Sequence, residues 1–247
     1  MDDTLERLPP RWAQVLARFN QHLMFDLGGG PRPLKLSTVI NMQKAGTFPA
    51  MALLMLFYSG KTPAATSTAA WLYLAMHGAY GLTWLLKDLN FPDRNWQRPA
   101  TIGSCIAGAI ALALYWLAGW VIISGVSTQD YPLPPNAWFS LCVALCILGC
   151  VIMIAADVQK YVTLQLQRGL ITTGMFKYVR HPNYLGEMMV YGSLALLAWH
   201  WIPVLVLAYY WGALFSTNMA NKEASMSRYP EWADYKSRSW WLVPLVF

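Results

Sequence analysis

Charge is scarce in this sequence. Only 12% of its 247 residues are Asp, Glu, Lys or Arg, while 56% are hydrophobic; an ordinary soluble domain carries about 25% charged residues. That shortage excludes a soluble globular domain and makes the lipid bilayer the first expected partner. Cysteine is scarcer still, with four residues, Cys105, Cys142, Cys146 and Cys150, all inside apolar runs. The last three would share one helix face, yet no companion His or carboxylate accompanies them, so packing is expected rather than a disulfide or a metal site. Internal repeats and low-complexity tracts are missing. The amino terminus has no signal-peptide core, because Asp2, Asp3, Glu6 and Arg7 are followed by no uninterrupted apolar stretch, and no cleavage is expected. The net charge of +6 sits in the polar connections, and nucleic acid is not expected as a partner.

What is present is a succession of apolar spans. Residues 10–24 place Trp12, Val15, Leu16, Phe19 and Leu23 at helical spacing beside Arg7, Arg11 and Arg18, the pattern of an amphipathic helix lying on the membrane or packed on the rest of the fold. The turn at 27–33, L-G-G-G-P-R-P, ends it. Hydrophobic spans follow at about 37–59, 65–86, 100–124 and 137–156, each near the ~20 residues that cross a bilayer. Two shorter runs, Tyr184 to Trp199 and Ile202 to about Ser216, flank His200-Trp201-Ile202-Pro203 and predict a tight helical hairpin. The expected fold is therefore all-α and integral to the membrane, with about six transmembrane helices, an amphipathic amino-terminal helix and a cytoplasmic carboxy-terminal helix. Residues 1–36 form an interfacial segment, 37–156 four helices on the lipid-substrate side, and 157–247 a cofactor-binding region.

Charge asymmetry sets orientation. Arg7, Arg11, Arg18, Arg32, Lys35 and Lys44, then Lys87, Arg94 and Arg98, then the cations after Asp157, then Lys222, Arg228, Lys236 and Arg238 fall on one side, against Lys61 on the other. Both termini should face the cytoplasm.

The longest mostly polar stretch beyond the first span, Asp157 to Glu187, gathers Lys160, Arg168, Lys177, Arg180 and His181 between two apolar blocks. Positive-inside bias alone could produce it, as could an anion site for a phosphate or carboxylate. Within it, G-M-F-K-Y-V-R-H-P-N-Y-L-G-E at 174–187 resembles the signature of a membrane-enzyme superfamily. That superfamily includes sterol C14 and C7 reductases, the steroid 5-alpha-reductase C-terminal family and isoprenylcysteine carboxyl methyltransferases. Gln159-Lys160 resembles a Q-K pair of the sterol reductases, and residues 222–247 resemble the ending of both reductase groups, so the likeness covers roughly 155–247 and is closest to the reductase branch. Tyr235, Arg238 and Pro244 belong to that shared ending.

The resemblance implies cofactor contacts at Arg180, His181, Asn183, Tyr184 and Glu187, with Lys160 near the cofactor phosphates and Arg238 a phosphate or adenine contact. Asn221, Ser225 and Tyr229 recur every four residues and would share a helix face; they fall where the sterol reductases have an Asp, a Cys and a Tyr. Glu223 resembles a tail glutamate also found in the methyltransferases. Independently, a carboxylate at Glu187 costs about 3 kcal/mol if it faces lipid, so it should turn inward to a partner. In the second span, His77 and Tyr80 lie on one face and are candidate proton donors, or members of an interhelical hydrogen bond.

The resemblance thus implies hydride transfer from NADPH to a carbon–carbon double bond of a hydrophobic small molecule, a sterol, steroid or enoyl lipid. Its alternative is methyl transfer from S-adenosylmethionine to a prenylcysteine or phospholipid. The compartment would be the endoplasmic reticulum in a eukaryote or the inner membrane in a bacterium.

Overall fold

The computed structural model describes residues 8–245; Asp2, Asp3, Glu6 and Arg7 and the last two residues of the W-L-V-P-L-V-F ending lie outside them. The chain is mostly helical. Helix α1 (Arg11–Gln21) passes through wider turns over His22–Asp26 into the glycine turn, whose three glycines all adopt positive φ. A short strand β1 (Leu34–Lys35) pairs antiparallel with β2 (Pro99–Ala100). Between them run α2 (Leu36–Ser59) and α3 (Thr68–Asn90). Then come α4 (Ile102–Ala113) and α5 (Leu117–Ile123), joined by one tighter turn, α6 (Pro135–Leu166), α7 (Pro182–Ala198), α8 (Trp201–Tyr209), α9 (Ser216–Met226) and the short α10 (Trp232–Ser237).

Among the described residues, three helical rods are long and apolar enough to cross a bilayer: α4–α5, α6 and α8–α9. Exposed branched aliphatics stud them, including Ile106 and Ile110 on α4, Ile147 and Val151 on α6, and Val204 and Leu205 on α8, as a lipid solvent favours. These rods match the spans expected at about 100–124, 137–156 and Ile202 to Ser216; the other three expected spans do not meet the same measure of length and apolarity. Helices α2 and α3 have 24 and 23 residues, but buried Gln43, Lys44, His77, Lys87 and Asp88 dilute them. Helix α6 has 32 residues, about 48 Å at 1.5 Å per residue, so it outreaches a ~30 Å hydrocarbon core. The expected division at 156/157 falls inside this uninterrupted helix.

The hairpin is present. It turns at Trp199, a left-handed residue, with the His200 side chain accepting from the Ile202 N–H. Its second arm runs beyond Ser216, because the helix loosens into wider turns over Tyr210–Phe215 and continues as α9 to Met226. The tail helix α10 has only six residues. Helix α1 both packs and projects. Asn20 is buried and donates to the Ala213 carbonyl at 3.2 Å, while Trp12, Val15 and Phe19 point away from the protein.

Two glycine contacts set the interior. A Cβ at Gly149 on α6 would lie 2.6 Å from the Gly186 carbonyl oxygen, and one at Gly186 would lie 2.5 Å from the Gly149 oxygen, so α6 and α7 touch backbone to backbone, as small residues permit. With that contact, Glu187 of α7 and Met153 and Asp157 of α6 line one cavity. A Cβ at Gly81 would collide with the Lys44 carbonyl, and this close α2–α3 crossing delivers Lys44 to Tyr80. The cysteines are free; Cys142 and Cys146 are buried, with Cys105 and Cys150 partly so.

Candidate functional site

A cavity of about 480 Å³ opens between α1, α2, α3, α4, α6, α7 and the α8–α9 rod, within the range of small-molecule sites. One wall is apolar, made by Leu36, Ile40, Ala107, Ala111 and Leu112. The rest of the lining carries four cations, Lys44, Lys87, Arg98 and Lys222, and three acids, Asp93, Asp157 and Glu187, together with Asn183, Asn218, Asn221 and Ser225.

At the inner end sits Lys44, 2% exposed. Its ammonium donates to the Tyr80 hydroxyl at 3.1 Å and, in a short hydrogen bond, to the Tyr191 hydroxyl. The Tyr80 ring lies 4.3 Å from the nitrogen, Trp84 4.7 Å, Tyr191 4.9 Å and Tyr115 6.0 Å, a cation–π cage that offsets part of the charge's desolvation. Tyr80 donates onward to Glu187 Oε1 at 3.4 Å. Toward the polar connections, Lys87 pairs with Asp157 at 2.7 Å and Lys160 with Asp93 at 3.4 Å. Burial disfavours charge on Asp93, but the Lys160 ammonium, the Asn95 N–H, Lys222 and Lys87 together hold its carboxyl below the usual range. The Lys222 ammonium stands 4.5 Å over the Tyr184 ring, and among the described residues no carboxylate forms an ion pair with it or with Lys44.

The residues singled out by sequence divide. Asn183, Tyr184, Glu187, Asn221 and Ser225 line the cavity. Tyr80 lies just behind its wall, joined through Lys44 and Glu187. His77 is fully buried further back, with Nδ1 2.6 Å from the Tyr73 hydroxyl and Nε2 without a partner. Lys160 reaches the cavity only through Asp93. Gln159 clamps the loop, donating to the Thr173 carbonyl and accepting from the Met175 N–H, both at 2.8 Å.

Arg180 and His181 turn the other way, into the tail. Arg180 donates from Nε to Glu223 at 2.8 Å and from its terminal nitrogen to the Ser239 hydroxyl at 3.3 Å and the Ser239 and Lys236 carbonyls. Its backbone N–H donates to the Trp240 carbonyl at 2.9 Å, and the Trp240 N–H to that of Tyr178 at 2.8 Å. His181 Nε2 lies 3.1 Å from Glu223 Oε1. Burial holds the His181 ring below the ordinary histidine range against the pull of Glu223, with Lys222 and Arg180 adding to the depression. Helix α7 starts at Pro182, where the missing N–H is harmless. Tyr229 accepts from Arg228, and Arg238 pairs with Asp234 at 3.1 Å on the surface; neither lines the cavity.

Sequence reasoning passed over Lys44, counted as a cytoplasmic charge although it lies within an expected span, and over Lys87, Asp157, Lys222 and Tyr191. For Lys44 the signal was available, since a lysine embedded in an apolar helix must find partners.

Among the described residues, three apolar rods long enough to cross a bilayer, with a ligand-sized, charge-lined cavity beside them, mark a membrane protein. By sequence, the chain belongs to the family described as "Protein of unknown function (DUF1295)", whose model matches residues 93–239, within the steroid 5-alpha-reductase-like superfamily. An uncharacterised protein of Schizosaccharomyces pombe is 31% identical over 84 residues, covering 32% of this chain and 27% of that protein.

Proposed function

We propose that this protein is a membrane-embedded, NADPH-dependent reductase of a carbon–carbon double bond in a lipid, a sterol, steroid or enoyl lipid, with six spans and both termini in the cytoplasm. The observation that carries the reading is a single cavity joining a lysine- and amide-bearing end to an apolar wall and a buried tyrosine cluster. The residues fit the cofactor. Lys87, Arg98 and Lys222 suit phosphate oxygens, Asn183, Asn218 and Asn221 suit amide and ribose groups, and the Trp84 indole N–H is buried on this wall without a partner. When bound, the dinucleotide supplies hydride. The chain's own tasks are to orient the ligand, exclude water and donate a proton from the inner cluster.

Methyl transfer from S-adenosylmethionine is the second reading. It is favoured by the acids Asp93, Asp157 and Glu187 in the same lining, which would suit a sulfonium and an amine. Thermal unfolding of the detergent-solubilised protein separates the two. Stabilisation by NADPH and none by S-adenosylmethionine is expected; the reverse pattern overturns the reductase assignment.

A further inference from the structure

Helix α1 presents two unlike faces. Ala13 and Asn20 are buried, whereas Trp12, Val15 and Phe19, and Leu8 just before the helix, are half or more exposed. Recurring every three or four residues, these side chains form a single apolar stripe. Arg11 and Arg18 are exposed beside it, and among the described residues neither is in an ion pair. From Leu8 to Phe25 the sequence contains no Asp or Glu. The next acid, Asp26, is taken by Arg32 at 2.5 Å.

Two of the rods able to cross a bilayer set the height of this helix. Asn20 donates to the carbonyl of Ala213, which stands where the α8–α9 rod passes from the apolar stretch ending at Phe215 to the polar S-T-N-M-A-N-K. The Phe25 carbonyl, in the turns that continue α1, accepts from the Thr101 N–H at 3.1 Å, and Thr101 caps the first turn of α4, where the α4–α5 rod begins. Helix α1 is thereby tied to both rods where apolar surface gives way to polar, the level at which headgroups meet hydrocarbon. A stripe of Trp, Phe, Val and Leu edged by arginine suits that level, because its rings and branches enter the acyl boundary while the guanidinium groups reach up to phosphate.

We propose that α1 is a docking helix for acidic lipids, with its exposed stripe seated in the headgroup region of the leaflet and Arg11 and Arg18 paired with the phosphates of anionic headgroups. The inference goes beyond the reductive reading and holds whether hydride or methyl is transferred. Two free cations on a helix without acids favour a net negative headgroup over a zwitterionic one. Leu23, Met24 and Phe25, which continue α1, line the cavity, so the leaflet that holds the helix also holds that wall.

The test attaches a nitrobenzoxadiazole fluorophore to Val15→Cys in the full chain, in nanodiscs of mixed phosphatidylcholine and phosphatidylglycerol. The chain without that change gives the background from the native cysteines. A nitroxide quencher is carried on one lipid or the other at equal content. Quenching is expected, stronger from a nitroxide near the headgroup than from one at the chain end. It should be roughly fivefold stronger from labelled phosphatidylglycerol than from labelled phosphatidylcholine, one arginine's share of the attraction to an anionic surface. In Arg11→Gln/Arg18→Gln that preference should fall to parity with the melting temperature unchanged. No quenching from either lipid overturns the proposal and leaves the face to a second copy of the chain or another protein. Quenching without preference for phosphatidylglycerol, or a preference that survives loss of both arginines, overturns the pairing with acidic headgroups.

Discussion

Two buried polar clusters lie on either side of the start of α7, and they spend their hydrogen-bonding capacity differently. In the tail clamp, Arg180 and His181 converge on Glu223, and Arg180 also holds the Ser239 and Lys236 carbonyls; the cluster is turned toward protein. In the inner cluster, Lys44, Tyr191 and Glu187 line a cavity and retain donors or lone pairs not spent on protein. Saturated clusters rigidify a fold, and unsaturated ones facing a void call for a partner such as water, an ion or a ligand. The most recognisable motif in the sequence thus contributes its Arg and His to architecture, and its Asn183, Tyr184 and Glu187 to the cavity wall.

The sharpest way to break this contrast is Arg180→Ala. Removing one partner of a largely buried pair leaves Glu223 uncompensated and frees the tail, at about 3 kcal/mol. Thermal unfolding should show that loss, whereas NADPH affinity per folded molecule should change little. Tyr191→Phe should do the opposite, keeping stability while lowering lipid-dependent NADPH oxidation about 100-fold, the low end for loss of a general acid. Next in size, Lys222→Met should weaken NADPH binding about tenfold, the loss of one charge-assisted hydrogen bond, as read by titration calorimetry. The smallest effect is on pH. The folded His181 ring binds its proton less readily than an unfolded histidine. The clamp therefore contributes fully above about pH 6.5 and loses stability as pH falls below that value toward the folded pKa. Melting temperature measured from pH 7.5 to 5.5 should decline, and His181→Asn should flatten the decline.

Much of the fold was legible because apolar runs and breakers are local. The amphipathic start, the glycine turn, the hairpin at Trp199–His200 and Pro182 opening a helix can each be read from a few neighbouring residues. The limits of α9 could not, since polar Asn218, Asn221 and Lys222 end an apolar run without ending a helix. For the site, periodicity assigned Asn221 and Ser225 to one face together with Tyr229, but the helix stops at Met226, and Tyr229 falls beyond it. Counting charge by segment placed Lys44 with the cytoplasmic cations, because which lysine is drawn inward depends on Gly81 admitting α2 against α3, a contact between residues 37 positions apart. Arg180 and His181 face the tail because a parallel bridge between Val179 and Trp240 fixes that strand-like segment, a pairing no local pattern announces.

The most direct test is a structure determined with NADPH present. Density is expected along the cavity, with its phosphates near Lys87 and Lys222 and its nicotinamide toward Lys44 and Tyr191, and with Arg180 still bound to Glu223. Density lying instead against Arg180, His181 and Arg238, with the Glu223 pairing broken, would contradict the account.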